Sequence, residues 1–411
     1  MQLSLSMIVR NEAERLERCL ASVRGFVDEM VLLDTGSSDA TVAIAEGCGA
    51  VVHHLPWPGD FAPARNAALE LVRGDWVLVL DADELLLEEA RDPLRQLMAR
   101  PELLVVNLLR QERGSRQSPY SRVSRLFRRH PAIRWSRPYH SMIDDSVLAL
   151  QQREQRWQVA DCPTPALVHD GYLPELLAAG DKAARLRQAM EVDLQRHPGD
   201  PYVCAKLGSL EVSEGNLTRG LHLLRTGLRH CPATAIPERF ELLLHLALAE
   251  GQRQPKQAIA LYRQALALPL EPRVTLAARL NLAVLLQDAA TGVGGRAEAE
   301  GQDSLEEAVE LCQQACRAAP ELAIPWAALG QAERRRGRAA AAVEAYRHAV
   351  SLEPNKPELH QNLAAASLLL GDIAGARHGF QQAIALLEQQ GQSGAATALR
   401  QRASALVKLD P

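Results

Sequence analysis

The densest chemistry in the chain is Asp75-Trp76-Val77-Leu78-Val79-Leu80-Asp81-Ala82-Asp83-Glu84, an apolar run that delivers three carboxylates within four residues. Carboxylates this close repel one another unless a cation lies between them, and hard oxygen donors at this spacing suit Mg²⁺ or Mn²⁺ carrying phosphates. A solvated acidic turn is the alternative. Asp34 closes another short apolar run and is followed by Thr35-Gly36-Ser37-Ser38-Asp39. Gly36 permits a tight turn and Ser38 or Asp39 can cap the next helix. Asp34 is then left either to bond its own turn or to accept the ring N–H of a uracil or a ribose hydroxyl. In Trp57-Pro58-Gly59-Asp60-Phe61-Ala62-Pro63-Ala64-Arg65-Asn66, Pro63 suits a first helical turn and Arg65 offers a fork of donors for a pyrophosphate, with Asp60 fixing the loop. A surface ion pair between Asp60 and Arg65 fits the spacing equally well.

Such side chains need a rigid edge to stand on. From Leu3 to about Tyr172, short apolar runs (Leu3 to Val9, Met30 to Leu33, Ala50 to Val52, Trp76 to Leu80) alternate with helical spacing (Ala13 to Val23, Thr41 to Gly47, Pro63 to Val72). This rhythm predicts a mostly parallel, doubly wound α/β sheet whose ligands bind beyond the carboxyl ends of its strands. Those ends carry Arg10-Asn11-Glu12, Asp34-Thr35-Gly36-Ser37 and Asp81-Ala82-Asp83-Glu84.

After Pro174 the strand pattern stops and a period of 34 residues begins, linking Gly337 to Gly371, Leu329 to Leu363, Tyr346 to Phe380 and Ala349 to Ala383. With Trp326-x-x-Leu329-Gly330, Tyr346-x-x-Ala349 and Pro354, this resembles the tetratricopeptide repeat. The same Leu-to-Gly step occurs at Leu207 with Gly215 and Leu243 with Gly251. Helical spacing in Leu276 to Leu286 and Leu305 to Ala318 supplies a further, irregular unit around a loop from Thr291 to Gln302. The expectation is about five repeats over 201–390, a connecting helix over 174–200 and a capping helix over 391–411.

The chain has 411 residues, with 46 Lys and Arg against 50 Asp and Glu, so no global basic field exists to grip nucleic acid. Seven dispersed cysteines without a Cys-x-x-Cys pair disfavour a zinc knuckle or a secreted disulfide framework and read as thiols of a reducing compartment. No apolar stretch is long enough to span a membrane, and no signal peptide stands out, which makes the cytoplasm the expected location.

Four ordered motifs, Ser6-Met7-Ile8-Val9-Arg10-Asn11-Glu12, Asp34-Thr35-Gly36-Ser37-Ser38-Asp39-Ala40-Thr41, Asp60 to Asn66 and Asp75 to Glu84, together resemble a family 2 glycosyltransferase of the GT-A fold over residues 1–173. The resemblance implies transfer of a sugar, of the hexosyl type, from a nucleotide-sugar, most often a uridine diphosphate (UDP) sugar, with inversion at the anomeric carbon. It places Val9, Arg10 and Glu12 in the nucleoside pocket, Asp34 on the uracil and Arg65 near the base or phosphates. Asp81 faces the ribose and metal side, and Asp83 is the principal ligand of Mn²⁺ or Mg²⁺. Arg122 to Arg128 resembles the family's Arg-Leu-Phe-Arg strand. Val168-His169-Asp170-Gly171-Tyr172 resembles its His-x-Gly-Tyr segment, in which His169 completes the metal or diphosphate site.

One departure concerns the base. Where the family has Trp-x-Gly-x-x-His-Glu, this chain reads Trp135-Ser136-Arg137-Pro138-Tyr139-His140-Ser141, so Arg137 replaces the Gly and Ser141 the acid. Asp144, Asp145, His140 and Glu84 are the substitutes for removing the acceptor's proton. The resulting expectation is a metal-dependent, cytoplasmic glycosyltransferase whose all-α repeat solenoid binds a protein partner or presents a peptide, protein or saccharide acceptor. A repeat scaffold that binds a nucleotide-sugar without turnover is the alternative.

Overall fold

The computed structural model describes residues 1–115, 119–137, 141–170, 182–290 and 298–409. The chain divides into two compact units, Met1–His230 and Cys231–Pro411.

The first unit is built on an eight-stranded mixed sheet, in the order β3-β2-β1-β4-β7-β6-β8-β5. Its strands are β1 (Leu3–Val9), β2 (Glu29–Asp34), β3 (Val51–His54), β4 (Trp76–Val79), β5 (Glu84–Leu86), β6 (Leu103–Glu112), β7 (Tyr120–Arg128) and β8 (Gln158–His169). Helices α1 (Leu16–Val23), α2 (Thr41–Gly47) and α3 (Phe61–Leu71) connect the first four strands, which pair in parallel. A strand buried on both faces needs apolar residues without alternation. In β4 and its exit, Trp76, Leu78 and Leu80 accordingly enter one core and Val77 and Val79 the other. The chain winds outward from β1 to β3 and then returns to place β4 on the other side of β1. The strand order thus reverses beside β1, and the carboxyl ends of β1 and β4 flank the crevice where such sheets bind ligands.

The remaining strands bring distant residues to that crevice. β5 runs antiparallel to β8 with Glu84 opposite His169, while β6 runs parallel to β8 with Glu112 opposite His169. Between β6 and β7 the register shifts, so that Asn107 faces both Ser124 and Arg125. A bulge of this kind re-aims the side chains that follow it.

Helices α4 (Arg91–Met98) and α5 (Asp144–Arg153) complete the sheet domain, and α6 (Lys182–Arg196), α7 (Pro201–Ser213) and α8 (Leu217–His230) belong to the same compact unit. Arg137 ties them together. Its φ of 75° lies in the left-handed region, which explains why the related pattern has glycine at this place. For a residue with a Cβ that backbone costs about 1 kcal/mol. The Arg137 guanidinium offsets the cost by pairing with Asp145 at 3.2 Å, Asp200 at 3.1 Å and Asp193 at 3.8 Å, and it lies 5.6 Å from the Tyr202 ring. Met142 packs in the apolar cluster of Met190, Tyr202, Val203 and Leu207. The connection expected near Pro174 falls outside the described residues.

The second unit continues as helix pairs: α9 (Ile236–Glu250) with α10 (Pro255–Leu266), α11 (Leu276–Ala290) with α12 (Glu298–Ala318), α13 (Ala323–Arg335) with α14 (Ala339–Leu352), and α15 (Pro357–Leu370) with α16 (Ile373–Gln389). Helix α17 (Ser393–Ser404) follows, and Ala396, Leu399 and Ala403 cover the apolar face of the last pair. Gly337 and Gly371, with φ of 80° and 83°, end the first helices of their pairs in the left-handed conformation that an L side chain resists, which accounts for their period. Gly251 instead stays right-handed, φ −51°. The loop expected from Thr291 to Gln302 lies outside the described residues as far as 297, and its remainder, from Glu298, is instead the start of α12.

Because Asp193, Asp200 and Tyr202 hold Arg137, a chain ended at residue 173 loses partners that a chain ended at residue 230 keeps. The longer fragment is expected to melt several degrees higher, consistent with roughly 1–2 kcal/mol of lost pairing and packing, in a circular-dichroism melt of both.

Candidate active site

The acidic run is folded into a self-bonded turn. The Asp81 N–H donates to Glu84 Oε2 at 2.9 Å and the Glu84 N–H donates to the Asp81 carbonyl at 3.0 Å. Glu84 is fully buried, and its other carboxylate oxygen accepts from Arg110 at 2.5 Å. Glu84, expected among the possible bases, is therefore withdrawn from substrate and serves as the clamp of the turn.

Asp81 is gripped from both sides. Arg65 donates to Oδ1 and Arg125 to Oδ2, each at 2.7 Å. Burial alone pushes its carboxyl up, but the two guanidinium charges outweigh burial and hold it far below the usual carboxylate range. Arg65 comes from α3, whose N-terminus is capped by Asp60 accepting from the Ala62 N–H at 2.8 Å. Asp60 thus fixes the loop, and Arg65 is free to turn inward. The Arg65 guanidinium lies 4.8 Å from the Trp135 ring and keeps a buried Nε–H without a partner. Arg125 arrives through the β7 bulge. Both oxygens of Asp81, which the resemblance places on the ribose and metal side, thus accept from arginines.

Asp83 is the carboxylate left toward the crevice. Its Oδ2 lies 3.3 Å from His169 Nε2, and His169 Nδ1 lies 2.5 Å from Glu112 Oε2. Arg110 and the Ser121 hydroxyl hold the other oxygen of Glu112. Burial would lower the His169 imidazolium, yet the hydrogen bonds to Asp83 and Glu112 prevail and push it up to about 9. Without a metal, His169 therefore donates from both ring nitrogens at neutral pH. Glu12 accepts from Arg15 at 2.6 Å, and its carboxyl is raised by burial, which Arg15 opposes and the nearby Asp83 reinforces.

Other expected residues divide between scaffold and surface. Val9 is 3% exposed and belongs to the core, and its carbonyl accepts from the Thr35 N–H at 2.9 Å. Arg10 is exposed beside it. Asp34 is buried and accepts from the backbone N–H groups of Gly36 and Ser37, the turn-bonding alternative, with His54 at 3.4 Å. Asp39 accepts from the N–H groups of Thr41 and Ala13. Asp145 accepts from Ser136 at 2.6 Å and from Arg137. Asp144 keeps an exposed face, while desolvation by the protein around it raises its carboxyl against the pull of the Ser124 hydroxyl at 3.0 Å. His140 falls outside the described residues, as do Gly171 and Tyr172. The Ser141 hydroxyl is buried without a hydrogen-bond partner.

Arg110, Glu112 and Arg125 were not singled out as site residues from sequence. Arg125 stood inside the quoted Arg122 to Arg128 segment; Arg110 and Glu112 carry no local signal, because only strand register brings them to His169 and Glu84.

As a metal centre the arrangement offers Asp83 and His169. Among the described residues no three His, Cys, Asp or Glu side chains converge to hold a metal ion by themselves. A Mg²⁺-like ion is nevertheless commonly held by one or two protein ligands plus substrate phosphates and water. The residues present fit an ion of that kind only when a diphosphate shares it.

The model of "Glycosyl transferase family 2" matches residues 4–156 and that of "TPR repeat" matches residues 330–371. A "TPR repeat-containing protein" of Synechococcus elongatus is 45% identical over 392 residues, covering 95% of this chain and 94% of that protein. An "Uncharacterized glycosyltransferase" of Rickettsia bellii is 33% identical over 156 residues, 36% of this chain and 52% of its own length. A solved crystal structure of MamA protein matches at 18% identity and a TM-score of 0.38, covering 47% of this chain and 94% of that one. The reversed strand order at β1, the carboxylate turn after β4 and the helix pairs that follow agree with the first three: the chain belongs to the family of the Synechococcus protein, a glycosyltransferase family 2 domain followed by tetratricopeptide repeats.

Proposed function

We propose that the protein moves a hexose from a UDP-sugar to an acceptor with inversion, using Mn²⁺ or Mg²⁺, and that the repeats bind the polypeptide that is, or carries, the acceptor. The observation that carries this reading is the pair Asp83 and His169 at the carboxyl edge of the parallel strands. There the metal, when bound with the donor, offsets charge on the departing diphosphate. Arg65, held by Asp81, adds positive charge on the same side of the turn. Arg10 and Glu12 line the nucleoside side. The bond from acceptor atom to anomeric carbon forms as that from anomeric carbon to diphosphate oxygen breaks, and the acceptor's proton passes to a carboxylate. Asp144 is the group we assign: its raised carboxyl and exposed face suit proton acceptance, whereas Glu84 is buried and Asp145 is paired with Arg137. Seven free thiols support a reducing compartment such as the cytoplasm, and no helix among the described residues is long and apolar enough to cross a membrane.

The second reading, a scaffold that binds the donor without turnover, is favoured by Ser141, whose orphaned hydroxyl stands where relatives of this pattern have an acid. A panel of nucleotide-sugars with Mn²⁺, read as release of the nucleoside diphosphate, separates the two. Turnover of a UDP-sugar is expected, and Asp83→Asn is expected to lower it by at least about a hundredfold. Binding without turnover favours the scaffold, and neither binding nor turnover refutes both readings.

Asp144→Asn distinguishes base from binder. It should cut kcat for acceptor transfer by about a hundredfold while leaving the KM for donor within about twofold. An unchanged kcat removes Asp144 from the role.

Metal binding must displace the His169 proton, which is held up to about pH 9. Below that value the proton competes and above it the ligand is free. Mn²⁺ affinity measured with UDP present is therefore expected to rise about tenfold per pH unit between 6 and 8 and then level off near 9. A flat profile would exclude His169 as a ligand.

A further inference from the structure

Within the second unit, α12, α13 and α14 enclose a cavity of about 380 Å³ that opens to solvent and is lined in part by Gln313, Trp326, Glu333, Glu344 and His348. Trp326 and His348 form its aromatic wall, their ring centroids 4.0 Å apart, and the Trp326 indole N–H is spent on the Pro320 carbonyl at 3.0 Å. Glu333 is only 6% exposed, and its Oε2 is buried without a hydrogen-bond partner. A buried carboxylate oxygen left in that state is costly unless a donor or a cation reaches it.

The chain itself shows how such a carboxylate is satisfied. Leu329-Gly330-x-x-Glu333, four residues before Gly337, is matched by Leu207-Gly208-x-x-Glu211, four residues before Gly215. Glu211 is equally buried, but it sits between two guanidinium groups, those of Arg187 and of Arg219, the latter at 2.9 Å. Among the described residues no arginine or lysine lines the cavity at Glu333. The arginines that follow it are engaged elsewhere: Arg334 bonds Tyr346, and Arg335 and Arg336, the latter just past the end of α13, pair with Asp288 at 2.8 Å and Glu306 at 2.6 Å. Glu344 adds a second negative charge at the rim and shares it with Arg347 at 2.7 Å.

We infer that this cavity is a specificity pocket for an arginine side chain of a partner polypeptide, whose guanidinium takes at Glu333 the place that Arg187 and Arg219 take at Glu211. The planar guanidinium matches the carboxylate and stacks on the Trp326 face, and Gln313 and Glu344 supply acceptors at the mouth. The inference rests on the reading of the repeats as a polypeptide-binding surface and adds to it the side chain that is recognised.

The test presents the full chain and its Glu333→Gln variant to the same array of random-sequence peptides. Peptides held by the unmodified chain are expected to share an arginine at one position. Their binding should weaken at least tenfold for the variant and equally when that arginine is replaced by citrulline, which keeps the shape and removes the charge. Because glutamine also relieves an uncompensated buried charge, the variant should melt no lower than the unmodified chain. Bound peptides without an arginine preference, or equal binding by Glu333→Gln, overturn the pocket and leave the repeats as a polypeptide-binding surface. An array that holds no peptide overturns that surface and the pocket together. A variant that melts several degrees lower shows Glu333 to be satisfied from within, which also overturns the pocket.

Discussion

Everything at the crevice depends on neutralising Asp81. A strand buried on both faces ends there in three carboxylates within four residues, and such a turn forms only if the charges are taken up separately. Asp81 is divided between Arg65 and Arg125, Glu84 goes to Arg110, and Asp83 goes to His169. Each partner comes from a different element, so the turn fixes where α3, β6, β7 and β8 must end. Losing one guanidinium leaves a half-buried carboxylate with a single partner, which costs more than the pair is worth net. The ion pairs are for that reason better described as positioning devices than as sources of stability.

The same logic explains what could be read from the residues. β1 and α2 lie where apolar runs and helical spacing place them, Leu3–Val9 and Thr41–Gly47, because Leu3, Leu5, Met7 and Val9 of the strand must enter the core. The carboxyl-edge motifs follow from the strands, and the repeats are legible through glycines that need a positive φ and through small residues where helices cross. Gly330, whose added Cβ would lie 2.9 Å from the Tyr346 ring, is one such crossing. What stayed hidden is pairing at long range. Arg125 is 44 residues from Asp81, and it reaches across only because two residues of β7 face one of β6. A bulge leaves no mark on hydrophobic spacing. Asp34 and Asp60 were legible as residues with two possible uses each, and in both cases the structure takes the local hydrogen bond, Asp34 in its own turn and Asp60 as a helix cap.

Arg137 shows how a departure in sequence can be a gain elsewhere. The backbone at this place turns left-handed, a conformation that suits glycine. Arginine accepts the strain and in return reaches Asp193 and Asp200 ahead of and within the first helix pair, while also occupying Asp145 at the start of α5. The segment that in the resembling pattern ends in a catalytic acid is here committed to holding the neighbouring helices.

That commitment bears on the chemistry. Asp144 and Asp145 begin the same helix. Their surroundings then separate them. Asp145 is paired with the Arg137 guanidinium and the Ser136 hydroxyl, while Asp144 keeps an exposed face, accepts from the Ser124 hydroxyl, and has its carboxyl raised by desolvation. Two adjacent carboxylates with different partners suit a division between holding and proton transfer. Ser124, which holds Asp144, is the bulge neighbour of Arg125, which holds Asp81, so a single irregularity in β7 sets both the anchored anion of the donor side and the carboxylate assigned to the acceptor's proton.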